Sequence, residues 1–206
     1  MLNLLNLSVG HERTIKAKRN IIGLVIIKGL NIIVGLMLVP IMINYLNPTN
    51  YGIWITLTSL VGWFTFFDIG IGNGLRNKLA EAIAKNDFNS AKTFISTTYA
   101  ILIIISTIFF LLFLGINTFV NWNAVLNISS DSISLHELKN IAFLVFLSFS
   151  FTFVLQLITT ILLANQQPAK SSLFDLIGKT ISLIIIYILI NLEFNSFTLF
   201  ATVYCF

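Results

Sequence analysis

The run IIGLVIIKGLNIIVGLMLVPIMI at residues 21–43 holds a single charged side chain, and no other feature limits the fold of this chain so tightly. A hydrocarbon core about 30 Å thick is crossed by roughly 20 apolar residues at about 1.5 Å of helical rise each. Comparable runs occupy about 52–71, 94–120, 141–164 and 173–190. The last piece, FTLFATVYCF at 197–206, is half the length of a crossing. Only 10% of the 206 residues are charged and 57% are apolar, against roughly 25% charged in a soluble domain. The expected fold is therefore all-α: a polytopic membrane helix bundle of about five complete transmembrane helices and a sixth that is cut short. An apolar half-helix ending in hydrocarbon leaves backbone carbonyls unsatisfied, so truncation of a longer protein is the expectation.

Residues 1–20 carry Arg13, Lys16, Lys18 and Arg19 ahead of the first run. That arrangement imitates a signal peptide, but the run is too long for one and no small-residue cleavage site follows it. The first run reads as a retained helix behind a cytoplasmic basic segment. Lysine and arginine accumulate on cytoplasmic loops. With the N-terminus inside, the inner segments hold Arg13, Lys16, Lys18, Arg19, Arg76, Lys78, Lys85, Lys92 and Lys170, and the outer ones hold Lys139 alone. The expected location is the bacterial inner membrane, multi-pass, with the N-terminus cytoplasmic. The net charge of +4 is spent on this topology, and no basic stripe with interleaved aromatics suggests nucleic acid.

The stretch FFDIGIGNGLRNKLAEAIAKNDF at 66–88 is the densest in charge. A dinucleotide fingerprint would need glycine at 75, where Leu75 stands, and a preceding strand, which is absent. The glycines instead let the chain leave the membrane and turn. From Gly74, Leu75, Leu79 and Ile83 recur every four residues and Glu81 precedes Lys85 in the favourable i, i+4 order. This predicts an amphipathic interfacial helix. Asp68 and Arg76 at its approach are either anchors of that exit or parts of a cytoplasmic gate.

Charge inside a span costs about 2.5 to 3.5 kcal/mol on insertion scales and marks a candidate site. Lys28 lies roughly 10 Å into the first helix, with Asn31 and Gly35 able to share its face. Asp175 and Lys179 begin the fifth helix four residues apart and can pair. In one reading these charges neutralise each other and Lys28 snorkels or meets Asp68. In the other, Lys28, Lys179 and Arg76 line a cationic cavity suited to a phosphate, Gln156 and Asn31 adding polar contacts or serving as interhelical glue. No catalytic constellation or metal-spaced cluster appears. His11 and His136 are far apart and Cys205 is alone, so neither metal nor cofactor is expected.

The order of a basic leader, an intramembrane lysine, and YLNPTNYGIWITLTSLVGWFTFFDIGIGNGLRNKLAEA resembles the bacterial polysaccharide (O-antigen, Wzx-type) flippases of the multidrug/oligosaccharidyl-lipid/polysaccharide exporter superfamily. The resemblance covers nearly the whole chain but only the first half of the family's usual length. It implies one lobe of a two-lobed exporter with a V-shaped central cavity. It also implies a substrate, undecaprenyl-pyrophosphate-linked oligosaccharide, moved from the cytoplasmic to the outer leaflet for surface polysaccharide such as the O-antigen of lipopolysaccharide. The partners so implied are that lipid-linked substrate, membrane lipids, and the polymerase and glycosyltransferases that handle it. A cationic cavity in this lobe fits Lys28.

Three alternatives stay open. A drug or cation exporter of the same superfamily would show a dominant acidic cavity, against which Lys28 argues. A membrane-embedded polysaccharide transferase would need a polar catalytic loop, and the loops here are short, so an enzyme is not expected. An inactive remnant of a truncated gene has the same residues as the flippase reading.

Overall fold

The computed structural model describes residues 12–68, 70–128, 133–194 and 196–205, and all regular structure among them is helical. In chain order the elements are α1 (Glu12–Gly62), a 3₁₀ segment (Trp63–Asp68), α2 (Ile71–Ala84), α3 (Phe88–Phe119), α4 (Trp122–Val125), α5 (Leu135–Leu155), α6 (Leu157–Ala164), α7 (Pro168–Asn191) and α8 (Phe197–Cys205). Four stretches are long and apolar enough to cross a membrane: Asn20–Phe66, Phe88–Phe119, Leu135–Ala164 and Pro168–Asn191. Their outward residues match hydrocarbon, with Ile32, Leu36, Ile104 and Leu111 all at least half exposed. This is the architecture of a multi-pass membrane protein.

The uncharged stretch NYLNPTNY at 44–51, whose Asn47-Pro48 turn chemistry predicts a short loop between the first two apolar runs, is not a loop. Helix continues on both sides, and the break is confined to Asn47, with φ 67° and ψ 163°. Pro48 explains the sharpness, because its ring pushes the preceding residue out of the helical region towards extended ψ. Asn47 then starts the next helical segment, its Oδ1 accepting the Asn50 N–H at 3.0 Å. Helix also begins earlier than the first apolar run, at Glu12. The run at 52–71 leaves α-helical geometry after Gly62 and tightens into the 3₁₀ segment. The third and fourth runs become the longer α3 and the α5–α6 pair, which meet at Gln156.

Two apolar clusters hold the bundle. The larger joins Leu38, Tyr45, Trp54 and Leu57 of α1 to Leu138, Ile141 and Val145 of α5, Ile186 of α7 and Phe200 of α8. Phe200 is fully buried and meets the rings of Tyr45, Trp54 and Tyr204 at 5.7, 5.1 and 5.8 Å between centroids. The smaller cluster seats Leu75 and Leu79 of α2 against Leu102 of α3, Phe153 of α5 and Leu157 of α6. Hydroxyls bridge helices where lipid offers no partner: Ser106 Oγ donates to the Ser150 carbonyl at 2.9 Å and Ser148 Oγ to that of Cys205 at 2.7 Å.

The packing of α1 on α7 positions the charged residues. Asn20 Nδ2 donates to the Gln166 carbonyl at 3.0 Å, Asn31 Nδ2 to that of Ser172 at 3.2 Å, and the Tyr45 hydroxyl to that of Ser196 at 3.3 Å. Both residue numbers rise together, so the two helices run side by side in the same direction.

Candidate functional site: a polar seam between α1 and α7

The register just described sets the depth of each charge. Lys28 stands one turn before Asn31, and Asp175 stands one turn after Ser172, so each lies within about a turn of the Asn31 to Ser172 bond, on either side of it along the seam. Lys28 is exposed, and no ion pair joins it to a described residue. Asp175 and Lys179 form the pair that their spacing predicts, with Lys179 Nζ at 3.1 Å from Asp175 Oδ2. The Lys179 side chain is 38% exposed and that of Asp175 57%, so the lysine is the more enclosed partner.

Asn31 is the most constrained polar residue of the seam. Its amide nitrogen donates to the Ser172 carbonyl, while its Oδ1 is buried and has no hydrogen-bond partner among the described residues. A buried acceptor left unmade costs about 1–3 kcal/mol. An oxygen of this kind, next to an exposed lysine, is a local source of polarity on an apolar helix.

Arg76 and Gln156 lie elsewhere. Arg76 is exposed on α2, whose main packing partners are α3 and α6, whereas Lys28 and Lys179 stand on α1 and α7. The structure thus brings the two lysines onto one helix pair and keeps the arginine on another element. Gln156, at the joint of α5 and α6, lines a separate polar cavity of about 110 Å³ together with Gly72, Asn73, Thr159 and Thr160. That volume has room for a few waters. Asn73, Thr159 and Thr160 were not foreseen as site residues. The run QLITT at 156–160 was the available signal, a polar triad at helical spacing within an apolar span. The side chain of Asp68 lies outside the described residues, as do His11, Asp131 and the side chains of Arg13, Lys16 and Arg19, so the expected contact of Lys28 with Asp68 is not described.

The amphipathic helix is present as α2, beginning three residues before its expected start. Gly70 precedes it at φ 73°, a left-handed conformation open to glycine at little cost. Leu75, Leu79 and Ala82 are buried, and Ile83 packs partly beside them. On the opposite face Lys85 Nζ lies 2.8 Å from Glu81 Oε1. The hydrogen bond from Lys85 and its charge hold the Glu81 carboxyl below its usual value, and the same bond raises Lys85. Both groups are charged at neutral pH.

No family model matches the chain, and no solved structure matches it. Over 85 residues the chain is 38% identical to a Salmonella typhi protein described as "Putative O-antigen transporter", a match covering 39% of this chain and 20% of that protein. The matched part of the chain thus covers only about a fifth of the length of that relative. Four stretches of this chain are long and apolar enough to cross a membrane, and the matched protein is itself described as a transporter.

Proposed function

We propose that this chain forms part of a flippase that carries a lipid-linked oligosaccharide, bearing undecaprenyl pyrophosphate, from the cytoplasmic to the outer leaflet of the bacterial inner membrane. In this reading the chain crosses twice between Asn20 and Phe66, turning at Asn47, because that stretch of 47 residues would extend about 70 Å as one helix, more than twice the hydrocarbon thickness. The helices then make five crossings with α8 opening a sixth, and the bundle is one lobe of a two-lobed exporter. Lysine and arginine counts put the N-terminus in the cytoplasm.

The observation that carries the reading is Lys28, an exposed cation within the otherwise uncharged run 21–43 of α1, on the helix that packs against α7 with its Asp175 and Lys179. A diphosphate cannot enter hydrocarbon without losing its hydration, and a fixed cation offsets that cost. Lys28 and Lys179 are the proposed cavity cations and Asn31 a polar contact beside them. Asp175 tempers Lys179 until substrate competes for it. Arg76 with Asp68 is assigned to the cytoplasmic mouth, and Gln156 to a polar contact at the helix joint. The partners in this scheme are the lipid-linked substrate, membrane lipids, and the polymerase and glycosyltransferases on either side of the step. No chemical conversion is assigned to the chain.

The test is surface-polysaccharide export in a host whose own gene is replaced by Lys28→Ala, with Lys28→Arg beside it. Export should be abolished by alanine and largely kept by arginine at equal membrane abundance. Full export by a well-expressed Lys28→Ala variant would discard the cavity-cation assignment.

A further inference from the structure

The outward face of α3 carries a feature that the transport reading does not use. Phe88, Lys92, Ser96, Tyr99, Ala100 and Ile103 border an open groove of about 680 Å³ along the first half of the helix. All of these residues stand along one face of α3, and the lining is mostly apolar. The Ser96 hydroxyl is already committed to the Lys92 and Thr93 carbonyls at 2.9 and 3.1 Å, so it offers the groove no unmet donor. Lys92 is exposed and forms no ion pair with a described residue. Its neighbour across the turn, Lys85, is engaged by Glu81. The groove is thus apolar along its length and positive at one end.

Its length has a natural measure. From Lys92 to Ile103 the helix rises about 16 Å, close to the thickness of one leaflet of hydrocarbon, which is half of about 30 Å. Phe88, one turn beyond Lys92 and 68% exposed, stands where a headgroup region would begin. We propose that the groove holds one anionic phospholipid, its phosphate on the Lys92 ammonium and an acyl chain along Tyr99, Ala100 and Ile103. A second copy of the chain fits less well, since a self-complementary seam along this face would enclose two Lys92 side chains with no acidic residue on the stripe to meet them. The proposal is independent of the flippase reading.

The chain is reconstituted into vesicles of equal parts phosphatidylglycerol and phosphatidylcholine, extracted, and its retained lipids are counted by native mass spectrometry. Wild type should retain phosphatidylglycerol selectively. Lys92→Gln should lower that retention about fivefold, the worth of one lysine at an anionic surface, and Lys92→Arg should restore it. Ala100→Trp, which adds bulk to the lining, should reduce both lipids, while Lys170→Gln in the first turn of α7 should change neither. Far-ultraviolet circular dichroism checks folding, and should Lys92→Gln unfold, the Ala100→Trp and Lys92→Arg results decide. Wild-type phosphatidylglycerol retention in folded Lys92→Gln or Ala100→Trp overturns the proposal. So does a dimer in lipid-free detergent that Ala100→Trp dissociates, because the occupant is then a second copy.

Discussion

Asn47 shows how much one residue can decide. Its dihedral angles fall in a region that residues with a Cβ occupy at a cost of order 1–3 kcal/mol. Pro48 behind it and the Asn50 N–H ahead of it hold it there. Asn47→Gly should raise stability by about 1 kcal/mol, since relief of strain exceeds the few tenths lost with the cap. Asn47→Leu, with neither cap nor freedom, should lower it, and thermal unfolding in detergent reads both. At Asn31 the prediction separates fold from function. Asn31→Leu removes a hydrogen bond of about 0.6 kcal/mol in a membrane setting together with a buried acceptor that has no partner among the described residues. Thermal stability should stay within about 1 kcal/mol of wild type, while export falls if Asn31 faces substrate. The break was legible as turn chemistry in Asn47-Pro48; its confinement to one residue was not, because sequence cannot tell a loop from two helices sharing one joint.

At the scale of elements, the α2–α3 turn joins the amphipathic α2 to the long apolar α3. Asp87 caps α3 by accepting the Ser90 N–H at 3.0 Å, and bonding by the Ser90 hydroxyl, then by its backbone, lowers the Asp87 carboxyl below its ordinary value. A carboxylate with a lowered folded pKa stabilises fully above its unfolded value, about 3.9, and loses the effect as pH falls through the folded value. Hydrogen exchange at the first turn of α3, corrected for intrinsic rate, should therefore be unchanged between pH 7 and 5 and lose protection below about pH 4. Asp87→Ala should show the unprotected behaviour at every pH. The amphipathic pattern of Leu75 and Leu79 and the Glu81–Lys85 pair were readable because both depend on 3.6-residue periodicity alone. The start of α2 was misjudged by three residues because it turns on the backbone of Gly70.

The whole molecule is held by contacts between distant parts of the chain, Phe200 above all. Phe200→Ala removes a ring packed against Tyr45, Trp54 and Tyr204, at a cost of about 3–5 kcal/mol. The yield of folded protein and its midpoint temperature should fall accordingly. A conservative Phe200→Leu change should recover much of the loss. Sidedness is open to the same kind of check. In a Cys205→Ser background, a membrane-impermeant thiol reagent applied to the periplasmic side should label Asn121→Cys in the outer loop and spare Lys85→Cys until the membrane is opened. The reverse pattern would invert the proposed topology.

Apolar length, charge distribution and helical periodicity determined from the sequence alone that the chain is helical, with runs long enough to cross a membrane, one amphipathic segment and a few charges within the apolar runs. These properties are local, each set by a few neighbouring residues and by the thickness of the bilayer. Tertiary structure decided which ions share a neighbourhood. It placed Lys28 and Lys179 on one helix pair, set Arg76 on another element, enclosed Gln156 with Asn73 and the threonines, and left the Lys92 groove open. Such arrangements depend on the register of α1 against α7 and on which face each helix turns to its neighbours. Register and facing arise from packing among residues more than a hundred positions apart, such as Asn31 and Ser172, and no local pattern encodes them.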